Sequence, residues 1–513
     1  MATSNPGIQI KPPFGGQMSG RDLMDIPEGY ARTALNWLKR GGGFQIRPGY
    51  SQIGSSLGNR ACGVVQYDHH LGHRFTVVGT TDKWWHWNLT DLAWIDITEG
   101  GNGLTGSETT SQVFRVFYKS NMAYLLGVNG YTNAPKKWDG VTAVYDDIAG
   151  SPPKAKCMAV NNNRLLLANT YTTQANVHQV DVSAFNDFEA GWGGTVQLVN
   201  LMDTPGEIVE MRELGNLETA IYKTDAIYVA VAQANLSPFF FELRAPSIQG
   251  PISPRCVVST PNLHIFMGRN GGLWQFDGIH VTPLPDLFRQ HIINTADLGA
   301  LNRSFGWYDG VNGEIWFVYR GSGSANPNLG LVINVSDMTA WPVSFANFRP
   351  TAGLGAEIEE NIRIGDMVLP LSGYSTPLSD MSHLYFKTAL VGHTGDVVEE
   401  GGYTDKGDAI PFDLETGMQS PSDAKAYFTA AEVDSLFART SASQAVEVKL
   451  GSSVDGSDPA YTSLGSVDVG NVGPYSLGAR LTSRLFSLRI MGNATQPVKW
   501  RGSTVNGVIR GLR

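Results

Sequence analysis

The chain has 513 residues and a mass of 55.5 kDa, with 38 basic against 47 acidic side chains, a net charge of −9 and a pI near 5.6. Charged residues are only 17% of it, while Gly (59), Pro (26) and aromatics (12 Trp, 18 Tyr, 22 Phe) abound. This balance excludes a disordered chain, a helical bundle and a basic protein that grips phosphates, and leaves a large, turn-rich β protein with two or three packing units.

The start, Met1-Ala2-Thr3-Ser4-Asn5-Pro6, has neither a basic nor an apolar signal region. No stretch approaches the ~18 apolar residues of a spanning helix, so no membrane insertion is expected. Residues 1–59 read as a strap. Pro27 to Leu38 predicts a short helix, Gly41-Gly42-Gly43 ends it, Phe44-Gln45-Ile46-Arg47 alternates as a strand, and Pro48-Gly49 turns it. Arg47 and Gly49 are therefore candidate structural positions.

A hairpin rhythm follows from residue 60. Val64–Tyr67, Phe75–Gly79, Trp84–Trp87 and Ala93–Ile97 form one group of four predicted strands; Val113–Phe117, Ala123–Gly127, Lys136–Trp138 and Ala143–Tyr145 form the next. Each group of about 40–50 residues has the size of one propeller blade. Over residues 60–400 that spacing gives six or seven blades, with six as the working number. An aromatic-Asp-Gly turn recurs at Trp138-Asp139-Gly140, Phe276-Asp277-Gly278 and Tyr308-Asp309-Gly310, where Asp-Gly is expected to supply the φ > 0 positions of tight turns. Asp286 to Ala300 is the one convincing helix. Residues 401–513 change character, with strands expected at 425–430, 445–450, 461–468 and 484–491, as in a small β-sandwich.

The chemistry-bearing residues give little. Cys62, Cys157 and Cys256 are odd in number and far apart, so reduced buried thiols in a cytoplasmic setting are expected rather than disulfides or zinc. Asp68-His69-His70 with His73 is the only histidine cluster, and a solvated hairpin turn accounts for it better than a metal site. Asp146-Asp147 and Glu359-Glu360 are adjacent, hence on opposite faces of a strand. Gly268–Gly272 and Gly321–Ser324 lack the Lys-Ser/Thr of a phosphate loop and read as hairpin turns. Ser453-Val454-Asp455-Gly456-Ser457 is a broken version of the Asp box of propeller glycosidases, and Trp84, Trp85 and Trp87 suit core packing better than sugar stacking. No catalytic residue, metal or cofactor is expected, and no enzyme.

In their order, several segments resemble the tail nozzle (tail hub, or tail tubular) proteins of short-tailed bacteriophages. These are Ala34-Leu35-Asn36-Trp37 with Arg47-Pro48-Gly49-Tyr50, Lys154–Val160 with Asn163–Asn169, Ser183–Asp187, Pro205–Val209 with Ile221–Tyr228, Gly272–Gly278, Arg484–Ile490 and Gly507–Arg513. The resemblance implies a β-propeller inserted in a platform built from both termini. It also implies a virion protein made in the host cytoplasm, roughly six copies of which form a homo-hexamer ring below a dodecameric head-to-tail adaptor. Tail fibres or spikes would attach to it, and double-stranded DNA would pass through during ejection without specific binding. An acidic, charge-poor surface suits a conduit along which DNA must slide. The rivals are a carbohydrate-binding or carbohydrate-cleaving propeller of a receptor-binding tail component, and a cytoplasmic propeller scaffold.

Overall fold

The computed structural model describes residues 7–18, 21, 23–41, 43–88, 91–100, 103–107, 112–215, 218–234, 237–359, 384–420, 427–470 and 475–510. The protein is all-β, a propeller with a β-sandwich platform built from its two ends. Six four-stranded antiparallel sheets follow one another in chain order, opening with the strands Ala61–Asp68, Val113–Lys119, Lys154–Asn161, Ile208–Leu214, Val257–Ser259 and Phe305–Asp309 (blades 1 to 6). These opening strands pack side by side as the inner wall. Pro350–Glu359 packs against both Phe305–Asp309 and Ala61–Asp68, so the ring closes with a seventh blade.

Blade 7 is why a count from sequence reaches only six self-contained units. Its strands Pro350–Glu359, Leu384–Gly392 and Val397–Glu400 are completed on the outer edge by Tyr50–Gln52 from the strap. The sheet then continues through Thr404–Asp405, which pairs in parallel with Tyr50, into the platform. Residues 360–383, and with them Glu360 of the Glu359-Glu360 pair, lie outside the described residues.

The platform is a sandwich of two sheets. One holds Trp37–Arg40, Gly43–Ile46, Lys499–Arg510, Tyr427–Phe437 and Tyr475–Ser483, with Ile8–Ile10 alongside Lys499–Arg510. The other holds Ala31–Leu35, Asp408–Thr416, Leu485–Ala494, Ala445–Ser453 and Ala460–Asp468. Alternation packs Phe428, Ala430 and Val433 of one sheet with Val446, Val448, Leu488 and Ile490 of the other. The same core runs into blade 6 through Trp37, Phe44, Trp316 and Trp341, with Trp37 stacked on Phe44 at 5.0 Å between ring centroids.

The helix expected over Pro27–Leu38 does not form. Ala31–Leu35 and Trp37–Arg40 are strands in different sheets, and Asn36 between them takes a φ of 62°. The buried residues Ala31, Ala34, Trp37 and Leu38 have helical spacing because a bulge near Thr33 and the left-handed Asn36 each shift the phase of a two-residue period. The expected helix at Asp286–Ala300 ends at Thr295 and is followed by a 3-10 segment, Leu298–Arg303.

Candidate functional site

The densest polar arrangement lies where strap, propeller and platform meet. Asn36 and Arg47 are fully buried, as is Asp405. The left-handed turn at Asn36 aims its amide inward. Its Nδ2 donates to Ser344 Oγ at 2.9 Å and to the Pro411 carbonyl at 2.6 Å, while its Oδ1 accepts from Ser344 N–H at 2.8 Å and Arg47 Nε at 3.0 Å. Arg47 spends its other donors on the Pro48 carbonyl (2.9 Å), the Ser344 carbonyl (2.6 Å) and both oxygens of Asp405. One guanidinium thus ties the strap to blade 6 and to the strand that leads from blade 7 into the platform, with the fork geometry that suits Arg and not Lys.

Arg40 makes a second tie. It donates from Nε and Nη2 to the two oxygens of Glu314 (2.9 and 2.7 Å) and from Nη1 to Glu400 (2.7 Å), with Asp309 at 3.6 Å. Burial works against the Arg40 cation, but Glu314 and Glu400 outweigh it and hold its pKa well above the ordinary value. Burial pushes the Glu314 carboxyl up against the pull of Arg40, and Asp309 and Glu400, which share the same guanidinium, add to the rise.

The sequence-singled turns fall in three places. Asp139 Oδ1 accepts from Val141 N–H, Thr142 N–H and the Thr142 hydroxyl, and Asp277 Oδ1 accepts from Ile279 and His280 N–H. Gly140 and Gly278 that follow have φ of 77° and 97°. Both turns join the last two strands of a blade. Asp309-Gly310 differs: it joins the first two strands of blade 6, Asp309 is buried toward Arg40, and Gly310 is not among the left-handed residues. The left-handed glycine is thus found at two of the three turns, while Asp309 both makes the same turn, its Oδ1 accepting from Val311 N–H (3.0 Å) and Asn312 N–H (3.2 Å), and belongs to the junction. At Gly49 the need is close approach, not φ: a Cβ there would meet Thr404 O at 2.2 Å and Thr404 N at 2.4 Å.

The inner wall carries a further charged cluster that sequence reading missed. Arg115 of blade 2 reaches past blade 3 to blade 4, donating to Glu213 (3.2 Å), Glu210 (3.3 Å) and the Met211 carbonyl (2.9 Å). Val160 N–H of blade 3 also donates to Glu213 at 2.9 Å. Burial pushes Glu210 up; it does the same to Glu213, but Arg115 and Val160 outweigh it and hold that carboxyl low. Beside them His264 lies between Tyr222 Oη (2.8 Å from Nδ1) and the Glu213 carbonyl (3.0 Å from Nε2), and burial lowers its pKa to about 4. The available signal was a charge at an alternating position of an apolar strand, as in Val113-Phe114-Arg115-Val116-Phe117.

The remaining candidates pack rather than react. His69 is buried, not solvated, and sits against the blade 2 turn, where a Cβ on Gly140 would meet its Cδ2 at 2.9 Å; His70 and His73 are exposed. Among the described residues no three His, Cys, Asp or Glu side chains are gathered to hold a metal. The three cysteines are free and buried. Trp84 is core, donating from Nε1 to Gln112 Oε1 at 3.3 Å. The Ser453–Ser457 segment is a turn of the sandwich, not of a blade, with Gly456 at φ 91°.

No family model matches the chain, and no curated protein matches it. Solved structures similar to it include the extracellular domain of the putative hybrid two-component system BT4673 from B. thetaiotaomicron, at 9% identity over 71% of this chain and 40% of that one, with a TM-score of 0.41. Others are BBS1N in complex with ARL6DN (10% identity, 72% of this chain and 99% of that one, TM-score 0.42) and a computationally designed protein (10%, 68% and 99%, TM-score 0.37). The chain spans two-fifths of the length of the first and nearly all of the other two.

Proposed function

We propose that this chain is a structural virion protein: a tail nozzle that forms a homo-hexameric ring, joins a head-to-tail adaptor to fibres or spikes, and lets the genome pass on ejection. The observation that carries the reading is a propeller inserted between the two halves of one platform, with the junction made by Asn36, Arg47, Gly49 and Tyr50. These are the strap residues in which the likeness to nozzle proteins begins. The buried charged side chains of the junction and of the inner wall hold strands of different elements together, which suits a mechanical part. Because Arg115, Glu210 and Glu213 cross the inner wall of the propeller, a double helix would run through a lumen between copies, not along a propeller axis.

The test is absolute quantification of the protein in purified virus particles against the portal subunit. A ratio near one to two supports a six-fold ring beside a twelve-fold portal. Absence from particles refutes the proposal, and a ratio well above one assigns the chain to fibres or spikes.

A further inference from the structure

Blade 3 buries a carboxyl that no cation meets. Asp181, on the third strand of that blade, Ala175–Val182, is 2% exposed, and its Oδ1 has no hydrogen-bond partner. Its cross-strand neighbours are Leu167 and Leu198. Asp181 therefore shares a sheet face with Leu167, which packs in one apolar cluster with Phe117 and Leu126 of blade 2 and with Phe188 and Trp192. The polar groups that act on the carboxyl are the N–H groups of Val182, Gly193 and Gly194, with no charged side chain among them. Burial outweighs these donors and raises it to about 6.

The loop that covers this carboxyl is anchored at one end only. Phe188 and Trp192 are buried in the cluster, with Trp192 Nε1 donating to the Phe188 carbonyl at 3.2 Å. Lys119 of blade 2 donates to Asp187 and Glu189, both at 2.7 Å, and Lys137 to Glu189 at 2.5 Å. Burial works against the Glu189 carboxylate, but the two lysines outweigh it and hold its pKa low, so these ties persist where Asp181 titrates. Past Trp192 the anchors stop. Gly193, Gly194 and Thr195 are exposed, and the two glycines take φ of 71° and 82°. A Cβ on Gly194 would lie 3.6 Å from Leu198 Cβ, which places this bare backbone over the cross-strand neighbour of Asp181. The other charged groups nearby are turned elsewhere. Arg164 donates to the Ser183 carbonyl at 2.9 Å and lies over the Phe185 ring. His178 has the strand parity of Val180 and Val182, which pack toward blade 4, and burial lowers its pKa.

We propose that Gly193–Val196 is a proton-dependent flap, shut over Asp181 while the carboxyl is protonated and swung out when it ionises and takes up water. A carboxylate without a cation is costly in an apolar setting, and a protonated carboxyl far less so. Opening returns the group from about 6 to its ordinary 3.8. The shut form is therefore fully stable below pH 3.8 and loses ground as pH rises through 6, by about a hundredfold in the opening equilibrium. Phe188, Trp192 and the lysine ties keep the rest of the loop in place. The proposal is independent of the nozzle reading.

The test is hydrogen exchange of the full-length protein, followed by mass spectrometry in peptides within residues 189–199 and corrected for the intrinsic pH dependence of exchange. In the unmodified protein the Gly193 and Gly194 amides should open about tenfold more often at pH 8 than at pH 5. Asp181→Asn keeps the shape of the side chain but cannot ionise. Its flap should stay shut throughout, with exchange about a hundredfold slower than the parent at pH 8. His178→Gln should keep the parent's slope. Exchange in the parent that is flat with pH overturns the proposal, as does a slope that survives in Asp181→Asn or vanishes in His178→Gln. If Asp181→Asn fails to fold, the parent and His178→Gln decide.

Discussion

Replacing Arg47 by Met keeps the buried stem but removes every donor that the guanidinium supplies to the junction. Asp405 then loses the two guanidinium N–H groups that meet its oxygens while remaining wholly buried. Breaking a buried pair from one side costs about 3–5 kcal/mol, because the orphaned charge has nowhere to find water. Asn36 Oδ1 keeps its Ser344 N–H bond, so the loss concentrates on Asp405 and on the Ser344 and Pro48 carbonyls. At about 1.4 kcal/mol per tenfold, opening of the strap should become two to three and a half decades more frequent. Native-state proteolysis, with cleavage within residues 13–58 mapped by mass spectrometry, reads that equilibrium directly. The double variant Arg47→Met/Asp405→Leu should recover much of the loss, since it removes the stranded charge. Protease resistance of Arg47→Met within about tenfold of the parent, or a double variant worse than the single, would refute the clamp.

Other expectations follow from single contacts. Gly49→Ala should lower the melting temperature sharply, because its Cβ would overlap the Thr404 backbone and force a shift costing about 1–3 kcal/mol or more; an unchanged melting curve would mean the strap does not lie there. Gly140→Val and Gly278→Val should each cost at least about 1–2 kcal/mol for the left-handed backbone. Gly310→Val, exposed and with only a 3.5 Å contact to Tyr308, should be tolerated. Equal urea midpoints for all three would contradict the turn assignments. His264 and His291 are both pulled from 6.5 to about 4 by burial. Their folded pKa is depressed, so stability is complete above pH 6.5 and is lost as pH falls from 6.5 through 4. Between pH 7 and 5 the loss is about 2 kcal/mol per histidine, read as a falling urea midpoint that flattens in His264→Gln.

The blade rhythm was legible because each blade is a local meander, with turn residues at the ends of short apolar runs. Gly140 and Gly278 announced their geometry through the preceding Asp, a purely local code. What stayed hidden was non-local. Tyr50–Gln52 looks like the end of a strap and is the outer strand of a blade whose other strands lie some three hundred residues on. Asp309 wears the turn motif of Asp277 yet faces Arg40, because the turn sits at a different point of its blade. Asp405 was one acid in a Gly- and Asp-rich stretch, and only the parallel pairing of its strand with Tyr50 brings it to Arg47. The strand Tyr475–Ser483 was missed because its alternation is polar on one face and only half-buried on the other.

The closure of blade 7 bears on what such a body does under load. Displacing the platform from the propeller means separating Tyr50–Gln52 from Val397–Glu400, whose three residue pairs lie side by side and must yield together. It also breaks the Arg40 contacts to Glu314 and Glu400 and the Arg47 contacts to Ser344 and Asp405. The same strand that joins the two bodies also seals the ring, so force on the platform is resisted by the closure of the propeller itself. A flexible linker would let the propeller swing; a shared sheet with buried guanidinium ties makes the two parts move as one. If the chain works in a ring that must hold and then pass a genome, this shared strand is where stiffness matters most. A variant that opens the strap should then fail in assembly before any loss of blade structure is measurable.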